Sequence, residues 1–200
     1  ALGRTTQVVT PVGSTASFAY NAAGHVVQAT DPASNSSTTT YDGIGRKTQL
    51  TNPTNRSITP QYDKNSRVTQ LTTPRGTTFS WAYDKVGRIV SQTSPGGAQS
   101  SFAYNALGQL TSFTDASNKK TSIGYDADGK ATQVSFADGV ARTIAYDSAN
   151  RPSQVAMGGK TRSYVYDAAG RITSTTDTWG KTLSYSYTAD GSLATHFEHT

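Results

Sequence analysis

Residues 41–47 read YDGIGRK, and close variants return as YDKNSRV from Tyr62, YDKVGRI from Tyr83 and YDAAGRI from Tyr166. The anchor tyrosines are Tyr20, Tyr41, Tyr62, Tyr83, Tyr104, Tyr125, Tyr146, Tyr166 and Tyr187, separated by 21 residues six times, then 20, then 21. A fixed period of this length marks a repeat architecture, in which one supersecondary unit is stacked many times. The opening ALGR fits the same phase, because Arg4 lies 21 residues before His25, the arginine position of the first full motif. The reading is a single array over residues 1–200, with nine Tyr-anchored repeats and a truncated first one, and a piece of something larger.

Each repeat reads as a β-hairpin. Two residues before the tyrosines stand Phe18, Thr39, Pro60, Trp81, Phe102, Ile123, Ile144, Tyr164 and Tyr185, mostly aromatic or β-branched. This alternation places positions −2 and 0 on one face of a strand. A second alternating run, such as RVTQLTT, follows the motif. Between the runs lies Asp-x-x-Gly. The Asp side chain accepts a backbone N–H two residues on, and a left-handed residue closes the type I turn. The closing position holds Gly in seven repeats, Asn150 in one and Ser66 in one. Asn tolerates positive φ, whereas Ser66 implies a strained turn or one of another type.

The residues flanking each loop face one another in such a hairpin. They are Asp42/Arg46, Asp63/Arg67, Asp84/Arg88, Asp126/Lys130, Asp147/Arg151 and Asp167/Arg171, and elsewhere both charges vanish together, as in Asn21/His25, Asn105/Gln109 and Thr188/Ser192. This covariation within one chain indicates cross-strand pairs that neutralise each other rather than await a ligand. One step outward, each Tyr opposes Val26, Lys47, Val68, Ile89, Leu110, Ala131, Pro152, Ile172 or Leu193. Strict alternation then puts the Gln28, Gln49, Gln70, Ser91 row on the tyrosine face and the Asp/Arg pairs on the other. The tyrosine side is expected to be concave, lined by a polar, hydrogen-bonded layer.

Composition narrows the function. Leu, Ile, Val and Phe make up about 16% of the chain, low for a globular protein, yet net charge is only +5 and strand-forming Thr, Tyr and Val are abundant. Cysteine is absent, which excludes disulfides and thiolate metal sites. The 18 Lys and Arg are dispersed, which argues against a nucleic-acid partner. No apolar run is long enough for a membrane-spanning helix. The DADG at Asp126 lacks the further acidic ligands of a calcium loop and reads as a turn. Glu198 is the sole glutamate, so a paired-carboxylate glycosidase is not indicated. His25, His196 and His199 show no metal-ligand spacing, and no cofactor is implied. Asn35-Ser-Ser and Asn55-Arg-Ser match glycosylation sequons but read as chance in a Ser/Thr-rich chain. Trp179, in DTWGK, falls in an inter-repeat loop, where packing over a neighbouring hairpin is preferred to stacking on a sugar.

The pattern Y-D-x-x-G-R, followed by an alternating run at a 21-residue period, resembles the YD repeat of Rhs proteins, Tc toxin B and C components and teneurins. The resemblance covers about residues 18–193. It implies an all-β fold of tandem hairpins forming a long curved antiparallel sheet, a segment of a hollow shell. It further implies a secreted or cell-surface structural protein, not an enzyme. Its partners would be the remainder of the same shell and an enclosed toxin polypeptide. Shells of this family end in a core region with a self-cleavage site containing Asp-Pro and Gly. Asp31-Pro32 is followed here by Ala-Ser-Asn, so no protease activity is assigned. The other reading is an adhesin-like array or filament that binds a cell-surface glycan or protein. On either reading the residues that matter are the nine tyrosines with Asp42, Arg46, Asp84, Arg88, Asp167 and Arg171.

Overall fold

The computed structural model describes residues 3–199, without the side chains of His196, Glu198 and His199. The described residues contain nineteen strands and no helix. The chain divides into two compact units, residues 1–100 and 101–200. In the first lie β1 (Gln7–Val9), β2 (Thr15–Tyr20), β3 (Val26–Thr30), β4 (Ser36–Tyr41), β5 (Lys47–Thr51), β6 (Ser57–Tyr62), β7 (Val68–Thr72), β8 (Thr78–Tyr83) and β9 (Ile89–Thr93). In the second lie β10 (Gln99–Tyr104), whose first two residues belong to the first unit, β11 (Leu110–Thr114), β12 (Lys120–Tyr125), β13 (Ala131–Ser135), β14 (Ala141–Tyr146), β15 (Pro152–Met157), β16 (Lys160–Tyr166), β17 (Ile172–Asp177), β18 (Thr182–Tyr187) and β19 (Leu193–His199). Within each unit every strand pairs antiparallel with the next in sequence, so each unit is an uninterrupted meander.

Both edges of the meander turn on one device. On the motif edge, Asp42 N–H donates to the Arg46 carbonyl at 2.9 Å and Gly45 N–H to the Asp42 carbonyl at 3.0 Å. The opposite edge repeats this geometry, as in Asp31 N–H to Asn35 O at 2.9 Å and Ser34 N–H to Asp31 O at 3.0 Å. There Pro11, Pro32, Pro53, Pro74 and Pro95 occupy the second turn position, where their fixed φ suits a type I turn. Asp31-Pro32 is therefore a turn start. One turn differs: β15 and β16 are joined by Gly158 and Gly159 alone, with φ of 57° and 75°. Two consecutive positive φ values make a two-residue type I′ loop, one residue shorter than the others. This accounts for the single 20-residue step between Tyr146 and Tyr166.

The nine expected cross-strand partners of the tyrosines are found, from Tyr20 opposite Val26 to Tyr187 opposite Leu193. Immediately beyond each, the register slips by one residue, a β-bulge. This corrects the placement of the Gln/Ser row. Gln28, Gln49, Gln70 and Ser91 oppose Ala19, Thr40, Gln61 and Ala82, the residues before each tyrosine, and so lie on the face away from it. The bulge moves an apolar row onto the tyrosine face in their stead: Leu50 opposite Thr39, Leu71 opposite Pro60, Phe113 opposite Phe102 and Val134 opposite Ile123. The residue before each tyrosine is exposed in all nine repeats. The tyrosine face is half-buried, and Pro60 alone is buried among the described residues.

Candidate functional site

The repeated polar residues converge on the motif edge. In each charged turn the Asp side chain does two jobs. Asp42 Oδ1 accepts the backbone N–H groups of Ile44 at 3.1 Å and Arg46 at 2.9 Å, while Oδ2 accepts Arg46 Nε at 2.6 Å. Asp63/Arg67, Asp84/Arg88, Asp147/Arg151 and Asp167/Arg171 repeat this pairing at 2.6–2.7 Å. Lys130 reaches Asp126 only at 3.5 Å and bonds Asp128 at 3.1 Å and Asn150 Oδ1 at 2.6 Å, so its own ammonium sits among the acids of the DADG turn. Ser66 keeps the shared turn: its φ is 62° and its N–H donates to Asp63 O at 3.0 Å. It is left-handed like its glycine counterparts, because the Asp63 and Arg67 bonds hold the backbone there.

These contacts depress the carboxyls. For Asp42, Asp126, Asp147 and Asp167 the backbone N–H of the partner four residues on is the leading cause. For Asp63 the Arg67 side chain leads. At Asp84 desolvation is the largest influence and pushes upward, but the bonds from Arg88 and Val86 outweigh it. Lys130 is raised, first by its bond to Asp128.

The arginines do more than neutralise Asp. Arg46 Nη1 donates to Asp63 O of the next repeat at 2.9 Å, and its guanidinium lies 4.9 Å over the Tyr62 ring. Arg67 does the same to Asp84 O at 3.0 Å and Tyr83 at 4.8 Å; Arg151 to Asp167 O at 3.0 Å and Tyr166 at 4.5 Å. Arg171 lies 4.5 Å over Tyr187, Lys130 5.4 Å over Tyr146, and the His25 ring stacks on Tyr41 at 4.7 Å. Uncharged Gln109 keeps the reach, donating to Gly129 O at 2.7 Å. The tyrosines answer in the other direction. The hydroxyl of Tyr41 donates back to Val26 O at 2.9 Å, Tyr83 to Val68 O at 2.7 Å, Tyr125 to Leu110 O at 2.8 Å, Tyr146 to Ala131 O at 2.8 Å, Tyr166 to Pro152 O at 2.7 Å and Tyr187 to Ile172 O at 2.7 Å. Tyr20 makes the equivalent bond to Thr5 O at 2.7 Å. Tyr62 takes part through the Arg46 stack, and Tyr104 stands opposite Leu110 in β11.

The Asp/Arg pairs therefore do not lie on the face opposite the tyrosines, as alternation had implied. Asp and Arg sit in the turn, outside the pleated ladder, so period-two logic does not extend to them. The guanidinium lies over the tyrosine ring of the following repeat at 4.5–4.9 Å, about one inter-strand spacing. Within each unit the result is a ladder in which Arg46, Arg67 and Arg151 grip the following repeat and tyrosines such as Tyr41, Tyr83, Tyr146 and Tyr166 grip the preceding one. This reciprocity was missed in the sequence because it joins residues 15–17 apart in different repeats. The 21-residue phase contained it, once positions 0 and +5 are read across repeats.

A sequence model of the Teneurin YD-shell family matches residues 3–110 and 100–196. The chain belongs to that family. No curated protein matches it in sequence. Among solved structures it is similar to TcdB2-TccC3 without its hypervariable C-terminal region, at 15% identity and TM-score 0.46, over 96% of this chain and 13% of that one. It is also similar to the Photorhabdus luminescens Tc holotoxin pore, at 14% identity and TM-score 0.43, over 96% and 18%. A porin-like protein from Bacteroides uniformis matches at 12% identity and TM-score 0.31, over 96% and 92%. The chain thus spans less than a fifth of the two Tc toxin chains.

Proposed function

We propose that this chain is a wall segment of a bacterial YD-repeat shell that encloses a toxin polypeptide until delivery, as part of a secreted or cell-surface complex. On this reading residues 1–200 are one array, and the nine tyrosines with Asp42, Arg46, Asp84, Arg88, Asp167 and Arg171 are its functional residues, acting as mortar. Its partners are the rest of the shell and the enclosed chain.

The observation that carries the reading is the tyrosine–cation ladder. The chemical groups that recur in phase are committed to turns and to the adjacent repeat, as a wall needs and as a catalytic or ligand-binding array does not. The alternative of a glycan- or protein-binding array requires an exposed aromatic at one position in successive repeats. Trp179 is exposed, but the same turn position holds Asp138 and Ser117 in the two preceding three-residue loops of that edge. The test is limited proteolysis of the full-length polypeptide that carries this array. Enclosure predicts that the segment following the shell survives protease while the repeats are folded and is digested after partial denaturation. Digestion at the same rate in both states would overturn it.

A further inference from the structure

The Gly158-Gly159 turn is one residue shorter than its neighbours on that edge. The following turn on the same edge carries Trp179, which is 73% exposed and lines a cleft with residues at the ends of β15 and β16. Thr178 pins that turn in place: its hydroxyl bonds Thr161 N–H and donates to Thr161 O at 3.1 Å. Together they bound an open cleft of about 350 Å³, within the usual range for ligand sites. Its floor is aliphatic, Val155 and Met157, with Met157 47% exposed. Its wall is cationic. Lys160 lies 5.7 Å over one face of the Trp179 ring, and Arg162 stands beside Val155 on the same face of the hairpin. Arg142, the cross-strand partner of Met157 on β14, stands outside the residues that line the cleft.

These cations differ from those of the ladder. Arg46, Arg67, Arg151 and Arg171 each hold an Asp at hydrogen-bond distance, whereas Arg142 and Arg162 form no ion pair or side-chain hydrogen bond among the described residues. Asp177 also lines the cleft and is the cross-strand partner of Arg162; its Oδ1 accepts the N–H groups of Trp179 at 2.9 Å and Lys181 at 3.0 Å, and Lys160 and Arg162 together outweigh this one acid.

We propose that this cleft binds an extended acidic peptide segment. Lys160 and Arg162 are two apart on one strand, so their bases stand about 6.8 Å apart on one face. Carboxylates two apart on an extended peptide have the same spacing. Met157, opposite Lys160, and the exposed Trp179 indole offer an adaptable apolar seat for a neighbouring aliphatic side chain. The peptide reading is favoured over an anionic saccharide because the floor is aliphatic. The proposal stands whether or not the array encloses a cargo.

The test is fluorescence anisotropy of the protein with a labelled short peptide alternating glutamate and leucine. The comparisons are the same peptide with glutamine for glutamate and a heparin-derived tetrasaccharide. The acidic peptide is expected to bind, the glutamine peptide about tenfold more weakly or not at all, and added salt to weaken the complex. Trp179→Ala and Arg162→Glu should each reduce affinity about tenfold, and Lys181→Ala should leave it unchanged. All three residues are exposed, and an unchanged far-ultraviolet circular dichroism spectrum confirms the fold of each variant. Equal binding of the glutamine peptide, insensitivity to both substitutions, or no binding at millimolar peptide overturns the proposal. Tighter binding of the tetrasaccharide overturns the peptide assignment.

Discussion

Gly87 sits at φ 95° and Gly45 at φ 86°, in the left-handed region that a Cβ disfavours by about 1–2 kcal/mol. Their surroundings differ. A Cβ on Gly87 would meet Arg67 Nη1 at 3.6 Å, an ordinary contact, whereas one on Gly45 would meet His25 Cε1 at 2.7 Å. That imidazole is held by its stack on Tyr41 and cannot simply swing away. Gly87→Ala should therefore cost only the backbone strain, and Gly45→Ala about 1 kcal/mol more through displacement of the ring. Urea denaturation of the two variants measures the difference, and equal losses would show that the His25 ring yields freely. Ser66 makes the complementary point. Its side chain gave no hint of a left-handed residue, yet it adopts one because Asp63 accepts Asn65 N–H at 2.8 Å and Arg67 N–H at 3.0 Å. A turn is specified by its first residue as much as by its last.

At the scale of the element, the hairpin was legible because Asp, a left-handed residue and alternation all recur in phase. The Tyr partners followed from counting outward from the loop. The face of the Gln row did not, because one bulged residue reverses every assignment beyond it and a bulge leaves no composition of its own. The second edge was legible in principle: five prolines stand 21 apart from Pro11 to Pro95, but they lie outside the Tyr motif. What the ladder contributes is measurable. Tyr125→Phe keeps the ring and deletes only the 2.8 Å bond to Leu110 O, and should cost about 1 kcal/mol, read from the shift in urea midpoint. Proton linkage tests the turns together. Asp42, Asp63, Asp84, Asp126, Asp147 and Asp167 have folded pKa values below that of an unfolded Asp, about 3.9. Their contribution is therefore fully present above that value and is lost as pH falls through the folded values. The urea midpoint should stay level from neutral pH down to about pH 5 and then fall. Asp147→Asn, which removes one such group, should lower the plateau and reduce the acid-induced drop.

Across the whole molecule, the absence of buried side chains other than Pro60 among the described residues sets the thermodynamics. The accessible surface is 13075 Å². A globular chain of 21.1 kDa would expose about 9,000 Å². The excess is the cost of sheets covered on neither face, where the apolar row of Leu50, Leu71, Phe113 and Val134 is only half withdrawn from water. Stability then rests on neighbour-to-neighbour terms, strand pairing and the Tyr–cation grip, in the manner of repeat proteins. Heat capacity reports this directly, because it rises with the apolar area newly exposed on unfolding. A globular protein of this length would show a ΔCp of unfolding of about 2.4–3.0 kcal/mol/K, from about 12–15 cal/mol/K per residue. Here much of the apolar surface is already wet in the native state, so calorimetry should return a clearly smaller value. A measured ΔCp in the globular range would mean that the apolar row is covered in solution. Its covering would have to be a second copy of the chain, and ΔCp would then fall on dilution as that contact is lost before unfolding. A small, concentration-independent ΔCp is the expected result for a wall segment whose faces are finished only by what lies against them.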